Sequence, residues 1–573
     1  MAYTHQIEGF RQGMRGVLLA ACLAASGCWS SPAPTRLTGT AATSAVMPDP
    51  GIRFVDVAQA SGVDWTARNG EEAGNFAMLE SFGTGCAIDD YDRDGQLDLW
   101  FAGGGDFGPG HAILPRPVGL FRQISPWRFV LVASAAGLEP IQHYNHGVWT
   151  ADIDEDGFPD LLLTGWGGLQ LFRNQGDGTF IDDTANSGLH DTMWSLAAGW
   201  ADLNRDQVLD LFVGHYVDWS FENHPECIEP RSHQRDVCAP NRFQGLPCNV
   251  YLANGDGTFR DASVEMGVHE IGKTLGVVIA DLNGDLQPEI YAANDTLPNH
   301  LYVSQPTGVY QEAAIPTGVA FGETGGSDGS MGVELADLDR DGSLDLWVAN
   351  YENQVFAFYR NLGADNFVHS SRAFGVTAVG AEAVGFGTVA LDADGDGYQD
   401  VFCANGHVYA PTLPNERRQK PYFFWNDRGK RLRNVADRVG EYFVERHLGR
   451  GAARGDIDAD GKPDLVVVHT NEPVALLQNR TAAANWLTVE LIGRRSPRSA
   501  IGAQVTIVAG GARQVGVIAG GGSYLSTSDR SIHFGLGGAS TVESVEVQWP
   551  SGTVTKLTAV EAGQRLRLIE SNP

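Results

Sequence analysis

Asp392, Asp394, Asp396 and Asp400 stand at positions one, three, five and nine of the run DADGDGYQD, with Gly397 at position six. Carboxylates alternating along a tight loop are hard oxygen ligands for a divalent cation, and a glycine at position six admits the positive φ such a turn needs. The chemistry is calcium coordination. A helical calcium loop would end in a bidentate glutamate at position twelve, but that position here is Cys403, inside the strand-like run YQDVFCAN. The loop therefore joins two β-strands.

The same spacing occurs seven times. Its ligand positions are Asp90, Asp92, Asp94 and Asp98; Asp152, Asp154, Asp156 and Asp160; Asp202, Asn204, Asp206 and Asp210; Asp281, Asn283, Asp285 and Glu289. They continue with Asp337, Asp339, Asp341 and Asp345; Asp392, Asp394, Asp396 and Asp400; Asp456, Asp458, Asp460 and Asp464. The third and fourth loops place Gln207 and Leu286 where the others keep glycine, and both carry asparagine at position three. Lower charge and a strained turn weaken those two, so five to seven calcium sites are expected.

Each loop is followed by a short apolar run such as LDLWFAG or PDLLLTG, and a second marker keeps step with it. An aromatic residue or leucine precedes a glycine by eight positions at Phe54/Gly62, Phe129/Gly137, Phe180/Gly188, Phe259/Gly267, Tyr310/Gly318, Phe367/Gly375 and Leu432/Gly440. Between them lie hairpin turns such as NQGDG and ANGDG. Four short strands per unit, seven times over, is the pattern of an all-β, seven-bladed β-propeller. The chain opens its first unit with an orphan last strand, FVDVA at 54–58, whereas the seventh unit has none of its own. That strand should complete the seventh blade and leave no free edge.

The chain has 573 residues, 71 of them glycine, and a formal net charge of −30. That charge argues against nucleic acid and against direct contact with anionic membranes. It belongs to the loops, whose 28 ligand positions less the two asparagines hold 26 acidic side chains. Residues 1–28 read as an export signal: Arg11 and Arg15 precede an apolar run too short to span a bilayer. ASGC then offers Cys28 for lipidation, with LAAC as a second match, ordinary cleavage nearby as the alternative, and Met14 as another possible start. The expected location is exported: an outer-membrane lipoprotein, periplasmic or extracellular, meeting the membrane only through an N-terminal lipid. Residues 29–50, rich in Ser, Thr, Pro and Ala, read as a flexible tether, and 51–480 as the propeller. An insertion near 218–248 holds Cys227, Cys238 and Cys248 with His224 and His233. In an exported chain Cys227 and Cys238 are the expected disulfide, with an irregular zinc site as the alternative. Cys86 and Cys403 lie on strand sequence and read as buried apolar side chains.

Beyond residue 480 the acidic loops stop, and alternating strands with glycine-rich turns indicate a separate small β-domain over 481–570. Its stretches SAIGAQVTIVAGG, GGGSYLSTSDRSIHFGLG and VESVEVQWPSG resemble the ASPIC/UnbV domain, while the acidic units resemble FG-GAP/VCBS repeats of the integrin-propeller type. With YAANDTLPNHLY, CANGHVYAP and GRGAARGDIDADGKPD, the whole of 51–570 is similar to bacterial members of the cartilage-acidic-protein family. The resemblance implies a secreted or surface-exposed calcium-binding protein linked to adhesion or matrix interaction, with no established reaction.

For the loop carboxylates the plain reading is that calcium holds strand-connecting loops in place, since four crowded carboxylates repel one another without it. The sharper reading adds a ligand face. Asn294, Asp295, Asn350, Asn405, His407 and Asn471 all follow the second strand of a unit and so share one end of the ring. Trp166, Trp219, Trp347 and Trp425 offer stacking surfaces for a polysaccharide, and an extracellular protein is the other ligand class; turn caps and blade cores are the structural alternatives. The rival class is a carbohydrate-active or other envelope enzyme with a pocket outside the calcium loops. The chain is not read as an enzyme: GVHEIGKT at 267–274 runs into a strand where a phosphate loop needs a helix, and GGSDG at 325–329 has no following helix for a nucleophile elbow.

Overall fold

The runs after the acidic loops, such as DLFVGH and DLWVAN, are short and rich in β-branched and aromatic residues. In the computed structural model, which describes residues 49–230, 232–408 and 417–571, every one of them is a strand. The expected export signal with Cys28, and the expected tether up to residue 48, lie outside the described residues.

Each acidic loop links the innermost strand of a four-stranded antiparallel sheet to the second. In blade 2, for example, Tyr144–Ala151 pairs with Asp160–Trp166, which pairs with Gly168–Asn174, which pairs with Phe180–Asp182. Seven sheets share this order. Their inner strands are Cys86–Asp89, Tyr144–Ala151, Ser195–Ala201, Thr274–Ala280, Ser330–Ala336, Gly385–Leu391 and Gly449–Gly455. Each packs beside the next and the last packs beside the first, so the sheets form a closed ring. Phe54–Asp56 supplies the outermost strand of the seventh sheet, with Phe54 opposite Asn479. This strand is shorter than the 54–58 expected, because the chain turns at once into the short helix Ala58–Ser61, ended by Gly62 at φ 82°.

The repeated aromatic and glycine prove to be one inter-blade contact. A Cβ at Gly188 would stand 2.2 Å from the carbonyl oxygen of Phe259 in the next blade, and Gly188 has φ 80°. Only glycine satisfies both conditions. The seventh copy closes the circle, since a Cβ at Gly440 would lie 2.4 Å from Phe54 O. A second tie comes from the third strands. Asn174, Asn361, Asn426 and Asn479 donate their side-chain amides to Tyr91 O, Leu282 O, Leu338 O and Ala393 O in the loop of the preceding blade, at 2.8–3.0 Å. Gln123 does the same toward Ile457 O at 3.1 Å, joining blade 1 to blade 7.

The C-terminal residues form two further sheets. Asn485–Ile492 lies between antiparallel Ile532–Gly537 and parallel Gln564–Ile569; Gln504–Ala509 lies between Ala512–Val517 and Thr541–Gln548, with Val554–Glu561 outermost. Their shared core, with Leu487, Val505, Val547 and Trp549, runs on into Trp149, Leu162, Trp200 and Leu211 of blades 2 and 3. From Asp49 onward the chain is one compact unit, with these sheets packed on the ring. The reason is the segment 520–530, which leaves these sheets and touches the inner strand of every blade.

Those contacts can be followed around the ring. Thr527 exchanges backbone bonds with Cys86 and Ile88 of blade 1, and Val148 of blade 2 donates to Leu525 O at 3.1 Å. A Cβ at Gly520 would stand 2.1 Å from Trp200 O of blade 3, while Gly520–Gly521 pairs as a fifth strand with blade 4. Val333 of blade 5 donates to Ser523 O at 3.0 Å. The Ser523 hydroxyl accepts from Thr388 N of blade 6 at 3.2 Å and donates to Ala452 O of blade 7 at 2.7 Å. A segment that meets all seven inner strands occupies the central channel as an axle.

Candidate metal centres

Backbone conformation decides where the loop carboxylates point. Position six is left-handed in all seven loops, including Gln207 at φ 76° and Leu286 at φ 68°. Position four is left-handed as well, at φ 56–65° for Arg93, Glu155, Arg205, Arg340 and Ala459. Both departing loops thus keep the same turn at a steric cost the glycine loops avoid at position six. In every loop the position-six amide donates to the position-one carboxylate, at 2.7–3.1 Å. The carboxylate at position nine opens the second strand and accepts the position-two amide at 2.8–3.3 Å in all seven. Six of these carboxylates also accept a third-strand amide, at 2.7–2.9 Å. Position nine is therefore a strap between loop and strand as well as a candidate ligand.

What these bonds leave over fits a cation. Oδ1 of Asp90, Asp152 and Asp337 is buried and has no hydrogen-bond partner, and the same holds for Asp458 Oδ1. Carboxylate oxygens converge within 4.8 Å for Asp90, Asp92 and Asp94; Asp152, Asp154 and Asp156; Asp337, Asp339 and Asp345; and Asp392, Asp394 and Asp396. Burial first, and the neighbouring carboxylates after it, push Asp98 up to about 9, Asp345 to about 8 and Asp152 to about 7. A buried acceptor with no donor is costly, and a divalent ion removes that cost while favouring the ionised form.

The third strand contributes donors that the loop motif does not contain. Arg122 Nε lies 2.6 Å from Asp92 Oδ2 with Nη2 3.2 Å from Asp94 Oδ2, and Arg360 pairs in the same way with Asp339 and Asp341. Trp425 Nε1 donates to Asp394 Oδ2, and Gln478 Nε2 to Asp458 Oδ2, each at 3.0 Å. These residues directly precede the tie residues Gln123, Asn361, Asn426 and Asn479, a recurrence visible in FRQ, YRN, FWN and LQN. In the departing loops the position-three amide turns inward instead: Asn204 Nδ2 donates to Asp206 Oδ2 at 2.9 Å, and Asn283 Nδ2 to Glu289 Oε1 at 3.0 Å. An internal donor already takes up part of the carboxylate charge there, which leaves less for a cation.

The C-terminal sheets lie over this end of the ring. Arg498 Nε is 3.5 Å from Asp152 Oδ2 and Arg565 Nη2 3.8 Å from Asp456 Oδ2. Arg340 Nε donates to Arg513 O at 3.0 Å, and His533 Nε2 lies 2.9 Å from Gly461 O. The loops of blades 2, 5 and 7 thus touch the C-terminal sheets as well as their own blades.

Comparison with known proteins agrees with this construction. The FG-GAP-like repeat model matches residues 152–213, 281–348, 337–403 and 392–467, and the ASPIC and UnbV model matches 493–573. The chain is an FG-GAP-like repeat protein with a C-terminal ASPIC/UnbV domain. It is homologous to cartilage acidic protein 1, with 28% identity to the Mus musculus protein over 307 residues, 52% of this chain and 45% of the relative. The Xenopus tropicalis protein is 23% identical over 524 residues, covering 83% and 72%. The match to the mouse protein, like that to the Homo sapiens protein at 26% identity and 47% of its length, spans about half of the relative. Among solved structures, an Agrocybe aegerita lectin specific for non-reducing terminal N-acetylglucosamine superposes with a TM-score of 0.38 at 17% identity, covering 68% of this chain and 86% of the lectin. A Bacillus licheniformis rhamnogalacturonan lyase gives 0.35 at 12% identity, covering 70% and 72%.

The other end of the FG-GAP ring corrects one expectation. Asn294, Asn350 and Asn405 end the second strands, and Asp295, His407 and Asn471 follow them, opposite the acidic loops. They are not an open ligand surface. Asn294, Asn350 and Asn405 are buried, with side-chain amides given to Pro298 O, Val355 O and Lys420 O at 2.7–2.9 Å. Asn471 bonds Asn69 Oδ1 at 2.7 Å, Asp295 accepts from Tyr216 Oη at 2.6 Å, and His407 is buried beside Tyr351 and Glu352. These side chains close turns, because a backbone leaving a sheet end carries groups that need partners. Near them the buried Arg450 donates to Ser81 O, Gly406 O and His407 O and lies 4.1 Å from the Phe386 ring. Trp219 and Trp347 are likewise buried.

In the insertion, Cys227 is bonded to Cys238, while His224 faces Trp219 and Asn75. Cys86, Cys248 and Cys403 are buried free thiols, raised by burial. The segment GVHEIGKT leads into the strand Thr274–Ala280, and GGSDG into Ser330–Ala336.

Proposed function

We propose that this chain is an exported, calcium-stabilised propeller that acts as a binding or adhesion module at the cell surface, with polysaccharide or extracellular protein as its ligand and a lipid on Cys28 as its membrane attachment. The observation that carries the reading is the set of buried, unpartnered carboxylate oxygens of Asp90, Asp152 and Asp337, the last two in loops that the ASPIC/UnbV sheets also touch. Calcium there does structural work, and recognition falls to the outer surfaces of the blades. No catalytic step is assigned.

The test is binding of the whole chain to immobilised surface polysaccharides and matrix proteins, with calcium, with magnesium, and with chelator. Saturable binding that disappears on chelation and returns with calcium alone supports the proposal. A chain that loads calcium yet binds none of them removes the adhesion reading and leaves the calcium reading standing; a chain that takes up no calcium removes both.

A further inference from the structure

His447, His469 and Glu472 bring one ligand atom each to within 4.8 Å of one another, far from any acidic loop. His447 lies in the connection that enters blade 7, His469 ends the strand Asp464–His469, and Glu472 sits in the turn before Ala475–Asn479. This is the end of the blade opposite its calcium loop.

The carbonyl contacts of the two imidazoles decide their tautomers. Pro473 O can only accept, so His469 Nδ1 at 2.6 Å carries the hydrogen and Nε2 keeps its lone pair. Tyr442 O, 3.0 Å from His447 Nε2, places the hydrogen there and leaves Nδ1 with the lone pair. A far ring nitrogen anchored on a carbonyl is the arrangement that orients metal-bound histidines. Glu472 is oriented by Leu448 N at 3.2 Å and by Arg418, and retains further lone pairs. Tyr442 Oη donates to His469 Nε2 at 2.9 Å, a bond that an ion on Nε2 would displace. The group opens on a cleft lined by Asp56, Arg418, Glu441, Glu445 and Arg446, which gives an ion a route in.

Two imidazole nitrogens and one carboxylate suit a borderline ion far better than calcium or magnesium. We propose that His469 Nε2, His447 Nδ1 and the Glu472 carboxylate bind a divalent transition-metal ion of the zinc class, with water in the fourth position and the Tyr442 hydroxyl released from Nε2. Such an ion fastens the chain entering blade 7 to that blade's own turn, beside the strand Phe54–Asp56 that closes the ring.

The experiment is titration of the full, tag-free chain, held in excess calcium so that the acidic loops are filled, with cobalt(II) and then zinc(II). One equivalent of cobalt is expected, with the intense visible absorption of a four-coordinate ion, and zinc should displace it. His447→Ala and Glu472→Gln should each weaken cobalt binding at least about tenfold with near-UV circular dichroism unchanged. Glu472→Gln keeps the side-chain shape, so the readout survives if His447→Ala fails to fold. Absence of one-equivalent binding, a six-coordinate cobalt spectrum, or binding that survives Glu472→Gln overturns the proposal.

Discussion

Phe54 N donates to Val439 O at 2.6 Å, so a residue at the start of the ring is bonded to the blade that precedes its own. The Phe54 ring is buried within 6 Å of Phe423 and Phe443, at centroid distances of 5.7 and 5.8 Å. Phe54→Ala should lower stability by about 3–5 kcal/mol in chemical denaturation, the usual loss for a buried aromatic. Val55→Ala, at a side chain 38% exposed, should change it by well under 1 kcal/mol, roughly the surface norm. Equal effects at the two positions would show that the closing strand is not integral to the ring.

Calcium should raise the melting temperature of the chain where magnesium does not, with five to seven ions counted by mass spectrometry. An ion at tenfold over its dissociation constant adds about 1.4 kcal/mol per site, so several sites together are large against a typical folding free energy. Asp152→Asn should lose one ion and part of the calcium effect. Asp202→Asn should lose less, because its loop already has Asn204 in place of a carboxylate, with that amide given to Asp206. Identical losses would remove the distinction between loops drawn from their side chains.

The metal-free chain should depend on pH in the opposite sense to the calcium-loaded one. Burial raises Asp98 and Glu289 to about 9 and Asp345 to about 8, above the ordinary carboxylate value near ~4. Raised acids bind protons in the folded state that the unfolded state has already lost, so their contribution is full below about pH 4 and disappears as pH climbs to about 9. In chelator the melting temperature should therefore be higher at pH 5.5 than at pH 8.5. In saturating calcium the order should reverse, since protons then compete with the ion. The same order under both conditions would mean that these carboxylates do not meet calcium.

Ser523→Ala should destabilise the ring and the C-terminal sheets together. Its hydroxyl bonds two blades, accepting from Thr388 N and donating to Ala452 O. Losing both inside the channel should cost about 1–3 kcal/mol, read as a single shifted transition by calorimetry and by limited proteolysis. Release of the C-terminal sheets alone, with a ring that melts where it did before, would show that the axle is only docked.

The acidic loops were legible because their information is local: oxygen ligands at positions one, three, five and nine, and a turn at six, need nothing beyond nine residues. The position-six turn survives even at Gln207 and Leu286, where residue type argues against it, because bonds such as Leu286 N to Asp281 Oδ2 hold it. The inward turn of Asn294, Asn350 and Asn405 was not legible. An asparagine after a strand reads the same whether it faces solvent or satisfies a carbonyl, and only the neighbouring chain decides between them.

By itself the sequence determined an all-β ring of repeats, its acidic loops and its closure by the strand at Phe54, since spacing and period carry all three. Only the tertiary structure decided that GGSYLST runs through the ring as an axle, that Arg122 and Arg360 reach the loop carboxylates, and that His447 meets His469 and Glu472. Contacts of that kind join residues far apart in the chain, and they are set by how packed layers meet, for which no local period exists.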